Sequence, residues 1–286
     1  MKYKALLKVF LFIILFVIST GISQLLGLLA IGVPFDELMS QGFETTLTHD
    51  TILKFIDVIV AIALVSIFFK IGDKKNFLRK SLSVKGQKFE LISGSIMPIA
   101  MVLLGFLVLW GFGWVSVTTA SVNTRDFLLM TMLFICVAIA EEVVVRGYVL
   151  HTLMSGMNKY AALFLSSILF SLLHLANPNS TMVGFLNLFL AGMFLGIVYT
   201  YTKNLWFAIT AHFFWNYMQS PLLGFNVSGK ELPTFLEIEY QRTDFWTGGA
   251  FGFEGSVICS ILLVMATVGL DLHYRKQSAQ MALKTD

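Results

Sequence analysis

Long runs of apolar residues, separated by short polar segments, dominate the chain. Each run is close to the roughly 20 residues that a helix needs to cross the hydrocarbon core of a bilayer. The pattern predicts an all-α, polytopic membrane protein with about eight transmembrane helices and a buried polar active site. The fifth and seventh predicted spans are short enough to tilt, to pair closely with a neighbour or to end inside the membrane. The predicted spans cover about 5–33, 51–71, 91–115, 126–154, 160–176, 181–202, 204–219 and 255–275.

The apolar pattern divides the chain into three regions. Residues 1–125 contain the first three spans, 126–219 contain four spans, and 220–286 contain a long loop and the last span. The loops at 34–50 and 220–254 are too short to have hydrophobic cores of their own. The first span follows MKYK and has no small-residue cleavage site after it, so it is interpreted as a retained anchor.

The composition excludes an ordinary soluble domain. The chain of 286 residues is 57% hydrophobic and 13% charged, whereas soluble domains have about 25% charged residues. The two cysteines, Cys136 and Cys259, lie in apolar runs and form neither a disulfide framework nor a metal-binding spacing. We find no nucleic-acid signature, so the expected partners are the lipid bilayer and a substrate at the membrane.

The charged residues predict the orientation. With eight crossings, 15 of the 20 lysines and arginines lie on one side of the membrane. Basic loops stay in the cytoplasm, so both termini are expected there, in a plasma or inner membrane. The basic positions are Lys2, Lys4, Lys8, Lys70, Lys74, Lys75, Arg79, Lys80, Lys85, Lys88, Lys159, Lys203, Arg275, Lys276 and Lys284. The opposite loops contain Asp36, Glu37, Glu44, Asp50, Glu231, Glu237, Glu239, Asp244 and Glu254.

The fourth span contains three ionisable residues in the stretch IAEEVVVRGYVL, namely Glu141, Glu142 and Arg146. A charge at the centre of a bilayer costs about 2.5–3.5 kcal/mol, so this span needs polar partners inside the bundle. Glu142 and Arg146 are four residues apart and are expected to pair. Glu141 is offset by about 100° and is expected to face another group.

Two further spans supply possible companions for Glu141. Phe170 and His174 share a face of the fifth span, and His212 and Asn216 share a face of the seventh. At the rise of an α-helix, Glu141 and His174 both lie roughly 20 Å from the cytoplasmic ends of their spans, and His212 and Asn216 about 12–18 Å. The four polar groups are therefore predicted to meet in one layer.

Such a cluster suits hydrolysis. A buried carboxylate beside an imidazole can remove a proton from water, and a histidine with an amide can donate hydrogen bonds to an oxyanion. No serine or cysteine is evidently paired with a base, which favours attack by water. Glu141, His174 and His212 could equally hold a zinc ion that keeps a position open for water.

Other interpretations of the polar cluster stay open at this point. Glu and His groups inside a membrane can relay protons, so a proton-coupled transporter ranks only slightly below a hydrolase. A non-enzymatic immunity or scaffold protein is a further possibility. The three ionisable groups of the fourth span could also form an ion-pair cluster that fixes helix packing, since membrane histidines often only join helices.

Three motifs together resemble a known family. E-E-x-x-x-R at Glu141–Arg146, F-x-x-x-H at Phe170–His174 and H-x-x-x-N at His212–Asn216 are similar to the signatures of the CPBP membrane endopeptidases. This family includes the CAAX prenyl endopeptidases and the bacterial Abi proteins, and the resemblance covers about residues 127–219. It implies an eight-span intramembrane protease of the glutamate or metallo type. Family members act on prenylated C-terminal peptides, or in bacteriocin immunity and peptide processing.

By this resemblance, Glu141 and His174 activate the water, and His212 and Asn216 stabilise the oxyanion. Glu142 and Arg146 support the site, and Phe170 belongs to the same motif as His174.

Three other polar or small-residue features have simpler interpretations. Gly192 and Gly196 predict close helix packing within the bundle, and Asn187 predicts an interhelical hydrogen bond. Asp57 is expected to pair with Lys54.

Overall fold

The computed structural model describes residues 2–40, 43–71, 77–119 and 122–283. Eight long helical segments follow one another in this part of the chain. They are α1 (Lys2–Ala30), α2 (Leu47–Ile71), α3 (Lys88–Gly111), α4 (Thr124–Glu142), α5 (Lys159–Leu173), α6 (Met182–Thr202), α7 (Trp206–Tyr217) and α8 (Val257–Ala282). Two helices continue as π-helix, α4 through Val143–Leu150 and α7 through Met218–Leu222. After its π-helix, α4 resumes as α-helix at His151–Met154.

The polytopic all-α prediction is confirmed. Among the described residues, six helices are long and apolar enough to cross a membrane. The other two, α5 with 15 residues and α7 with 12, correspond to the short fifth and seventh spans of the prediction. The protein is therefore an integral multipass membrane protein.

Small elements outside the spans were not predicted. Short helices cover Phe35–Leu38 and Phe77–Ser81, and 3₁₀ turns cover Gly249–Phe251 and Phe253–Gly255. The third predicted span ends earlier than expected, at Gly111, and is followed by β1 (Val115–Thr119). This strand pairs antiparallel with β2 (Leu236–Tyr240), with Val115 opposite Tyr240 and Thr119 opposite Leu236.

One end of the bundle collects the basic helix ends, and we call it the basic face. There Trp206 Nε1, at the start of α7, donates to the carbonyl of Leu82 at 2.9 Å. Tyr160, at the start of α5, donates to Asp271 of α8 at 3.1 Å. Of the predicted basic positions, Lys74, Lys75 and Lys284 lie outside the described residues.

The opposite end collects the acidic loops, and we call it the acidic face. Arg125, at the start of α4, donates to Thr48 of α2 at 2.9 Å. Asn179, which follows α5, donates to the Gly229 carbonyl at 3.2 Å. The Tyr217 ring, at the end of α7, lies 6.0 Å from the Phe127 ring. The short helices α5 and α7 thus both run from the basic face to the acidic face, because tertiary contacts hold them at each end.

A tight contact between α5 and α6 explains the two glycines of α6. A Cβ at Gly192 would lie 2.8 Å from Ser167 Cβ, and one at Gly196 would lie 2.5 Å from Leu163 Cδ1. Only glycine permits this approach, as the sequence predicts. On the same helix, Asn187 donates to the carbonyls of Glu254 and Ser256, at 2.7 and 2.8 Å, so it joins the long loop to the bundle.

Candidate active site

A buried ion pair lies next to the cavity and supports the site. Arg146 Nη1 donates to Glu142 Oε1 at 2.6 Å, which is the predicted pairing along α4. Arg146 Nη2 donates to the Gly192 carbonyl of α6 at 3.1 Å. The same Glu142 oxygen accepts from Nδ1 of His212, on α7, at 2.8 Å. Glu142 therefore joins α4 to α7, a contact that the sequence did not predict.

Glu141 faces a different environment from its neighbour Glu142. Its Oε2 lies 3.6 Å from His174 Nε2 and 3.9 Å from His212 Nε2. The Glu141 side chain is 28% exposed and His174 is 18% exposed, whereas Glu142 is fully buried at 0%. Within the described residues the Oε2 atom of Glu141 is buried and has no hydrogen-bonding partner, while the side chain as a whole lines the cavity.

His174 lies directly after the last residue of α5, and backbone fixes its ring. Because a carbonyl can only accept, His174 Nδ1–H donates to the carbonyl of Phe170 at 2.8 Å. In the tautomer with its single proton on Nδ1, the ring presents an unprotonated Nε2 toward Glu141. The Phe170 ring lies 4.6 Å from the His174 ring and 4.7 Å from the Arg146 guanidinium, so it separates the histidine from the buried ion pair.

Asn216 completes the predicted set. It follows His212 by four residues on α7, is buried, and lines the same cavity of about 390 Å³ as Glu141, His174 and His212. In the part of the chain that the structure describes, its amide makes no side-chain hydrogen bond. The structure thus brings together all four polar residues that the sequence predicts to meet.

The π-helix after Glu142 was not predicted. It covers Val143–Leu150, and each of these residues is buried. Stretches of π-helix are rare and are frequently found at functional sites. Here the wider turn lies between the cavity and the basic face and contains Arg146.

Sequence reasoning also missed Glu254, which it grouped with the acidic loop residues. The structure buries this residue beside the cavity at 6% exposure. Glu254 accepts hydrogen bonds from Trp215 Nε1 at 2.7 Å and from the backbone N–H and hydroxyl of Ser228 at 2.9 and 2.6 Å. Its carboxylate therefore attaches the long loop to α7 next to Asn216. The apolar neighbours in FGFEG are the one sequence signal of its burial.

A second cluster of charged and polar side chains, from α1 and α2, lies at the cavity wall. Lys54 donates to Asp57 at 2.9 Å, as predicted, and Gln24 of α1 donates to both Asp57 oxygens at 2.9 and 3.0 Å. Lys54 and Gln24 both line the cavity. The network fixes α1 against α2 at the cavity wall.

Three side chains at the cavity are candidate ligands for zinc. Glu141, His174 and His212 offer the right atoms, and an oxygen acceptor holds the Nδ1 of each imidazole, as for metal-binding histidines. Ligands of a tetrahedral zinc lie roughly 3.3–3.6 Å apart, whereas Glu141 Oε2 lies 3.6 and 3.9 Å from the two Nε2 atoms. Among the described residues no group of three potential ligands has the geometry of a metal site. The first separation fits this spacing and the second exceeds it, so His212 and Glu141 would have to move closer together to hold zinc.

Fold and site together define a class: a polytopic membrane protein whose cavity contains a carboxylate, two histidines and an asparagine. Residues 123–218 match a protein-family model described as Rce1-like, type II CAAX prenyl endopeptidase Rce1-like. This match covers the region of the three motifs and supports their resemblance to the CPBP membrane proteases. The family described by the matching model is one of peptidases. No curated protein matches the chain at a significant level.

Proposed function

We propose that this protein hydrolyses a peptide bond of a membrane-associated peptide or protein, using a water molecule that Glu141 and His174 activate. One observation carries the proposal. Glu141 Oε2 and His174 Nε2 face each other across 3.6 Å, and both side chains are exposed to one cavity. Both atoms are hydrogen-bond acceptors. One water that donates a hydrogen to each would place them about 4.4 Å apart, so the two side chains would separate slightly to bind it.

The carboxylate is the base in this proposal. As the water oxygen attacks the carbonyl carbon, its proton passes to Glu141, while His174 Nε2 orients the second hydrogen. The tetrahedral intermediate then collapses, the C–N bond breaks, and the Glu141 proton passes to the leaving amine. The hydrogen bond from His174 Nδ1 to the Phe170 carbonyl supports this role, because it keeps Nε2 aimed at the water.

His212 and Asn216 are the proposed donors to the oxyanion. Glu142 binds His212 Nδ1, which leaves Nε2 toward the cavity. A cationic His212 would donate from Nε2, and together with Arg146 it would balance the two carboxylates. The Asn216 amide supplies a second donor from the same helix face. Donors aimed at developing charge in a site shielded from water are each worth about 3–4 kcal/mol in the barrier.

Glu142 and Arg146 are proposed to position the site residues without contacting the substrate. They hold the imidazole of His212 and, through the Gly192 carbonyl, connect it to α6. Removing either residue is expected to disturb the position of His212.

The test compares peptides released by membranes that contain wild-type protein, Glu141→Gln or His174→Gln, by quantitative mass spectrometry. We expect peptides that require the wild-type protein and a loss of about 100-fold or more in each variant, because general-base catalysis contributes about 10²–10⁴. Glu237→Gln, at an exposed carboxylate of β2, is the matched control and should cleave normally.

Equal cleavage by Glu141→Gln and wild-type protein, inserted in equal amounts, would contradict the proposed role. A wild-type protein that releases no peptide but still protects cells from a bacteriocin would indicate the non-enzymatic immunity function instead.

A further inference from the structure

The cavity opens at only one of the two faces, as far as the described residues show. The part of its wall at the acidic face is formed by three segments. They are the segment before α2 with the first turn of that helix, the residues after α5, and the loop before α8. These lining residues are Thr45, Asp50, Asn177, Val227, Ser228, Lys230 and Leu232. Thr45 and Lys230 are also exposed on the protein surface, so the cavity is continuous with the exterior there.

Toward the basic face, packed side chains close the cavity. All residues of the π-helix Val143–Leu150 are buried. Beyond them the Tyr148 ring stacks on Phe12 at 4.0 Å, and the His151 ring packs against Phe77 at 4.2 Å. None of these residues lines the cavity. A polypeptide cannot reach Glu141 from the basic face without unpacking this core.

The distribution of charge identifies the two faces. Of the 15 lysines and arginines that the sequence predicts on one side, 12 are among the described residues, and the helix order places these at the basic face. The other five of the 20 lysines and arginines are Lys54, Arg125, Arg146, Lys230 and Arg242. Cytoplasmic loops carry the excess of lysine and arginine in membrane proteins, so the closed face is cytoplasmic and the open face extracytoplasmic.

We infer that the substrate enters from the extracytoplasmic side. Resting on the proposed function, this inference defines the substrate class as an exported peptide, or the extracytoplasmic flank of a membrane-anchored protein. A peptide that approaches from the cytoplasm along the basic face does not belong to this class, because the packed core lies between it and Glu141.

Cysteine labelling in intact cells tests the inference without requiring activity. The native Cys136 and Cys259 are buried at 3% and 0%, so the wild-type protein supplies an unreactive background. Single cysteines are introduced as Thr45→Cys at the cavity mouth, Ser228→Cys in its wall and Ser83→Cys at the exposed basic face. Cells receive a charged, membrane-impermeant thiosulfonate, and the remaining thiols are counted by a maleimide mass shift after solubilisation.

We expect Thr45→Cys and Ser228→Cys to be modified from outside, and Ser83→Cys only after permeabilisation. The reverse pattern would overturn the inference by placing the cavity in the cytoplasm. Protection of Ser228→Cys while Thr45→Cys reacts would also overturn it, since the cavity would then be closed to that face. The expected labelling without any peptide cleavage would instead leave the inference standing and contradict the proposed function.

Discussion

Two neighbouring carboxylates in this protein have different environments, and the difference arises from one step of about 100° around a helix. Glu142 points into the bundle and shares one oxygen between Arg146 and His212. Glu141 lines the cavity, and neither histidine is within hydrogen-bonding distance of its Oε2 atom. We therefore expect the first carboxylate to stabilise the fold and propose the second as the catalytic base.

This division predicts opposite effects of two similar substitutions. Glu142→Gln leaves Arg146 and His212 without a carboxylate in a fully buried position. Breaking a buried ion pair in this way costs about 3–5 kcal/mol, so the thermal unfolding midpoint in a fixed detergent should fall clearly. Glu141→Gln, which removes no direct hydrogen bond at Oε2, should unfold close to the wild-type temperature while losing activity. Equal losses of stability in both variants would show that the two carboxylates do not differ in role.

At the scale of elements, close approach of helices builds the site. The Gly192 carbonyl reaches Arg146 because α6 lies against α5 without a side chain between them. The π-helix after Glu142 and the end of α5 at His174 likewise place side chains where a regular helix would not. The glycine, the π-helix and the helix end are each local features. They position site residues only where their helix contacts a second one.

The glycine contact predicts that Gly192→Ala destabilises the protein. Its Cβ would lie 2.8 and 2.9 Å from Ser167 Cβ and Cα, so the helices must separate. Overpacking of this kind costs about 1–3 kcal/mol, and the thermal midpoint should fall with it.

Gly269→Ala in α8 is the matched control, because a Cβ there has no described heavy atom within 4 Å. Alanine favours a helix over glycine by about 1 kcal/mol at most, so this variant should be as stable as wild type or slightly more. A Gly192→Ala protein with an unchanged midpoint would contradict the packing role of the glycine.

At the scale of the whole molecule, three helices that are distant in sequence place the four site residues around one cavity, which opens at the acidic face. The separation of Glu141 from His212, 3.9 Å, is wider than zinc ligands require, and the proposed reaction uses water held by Glu141 and His174 without a metal. The arrangement therefore predicts activity that does not require a metal.

Elemental analysis of the purified protein, with activity measured before and after a chelator, tests this expectation. We expect clearly less than one zinc per chain and no loss of cleavage on chelation. One zinc per chain, with activity lost on chelation and restored by zinc, would assign Glu141, His174 and His212 as its ligands instead.

The sequence alone predicted the apolar helices, the Glu142–Arg146 pair, the Lys54–Asp57 pair and the three motifs. These features depend on local properties: hydropathy summed over about 20 residues and neighbours four apart on one helix. Depth counted along each helix was enough to place Glu141, His174, His212 and Asn216 in one layer.

Only the tertiary structure decided which groups touch within that layer. The bond from His212 to Glu142, the burial of Glu254 and the π-helix depend on how each helix is rotated against its neighbours. Packing across the whole bundle sets that rotation, so it cannot be predicted from the sequence of any single segment. The same packing closes the basic face, so the side on which the cavity opens could be found only once the helices were assembled.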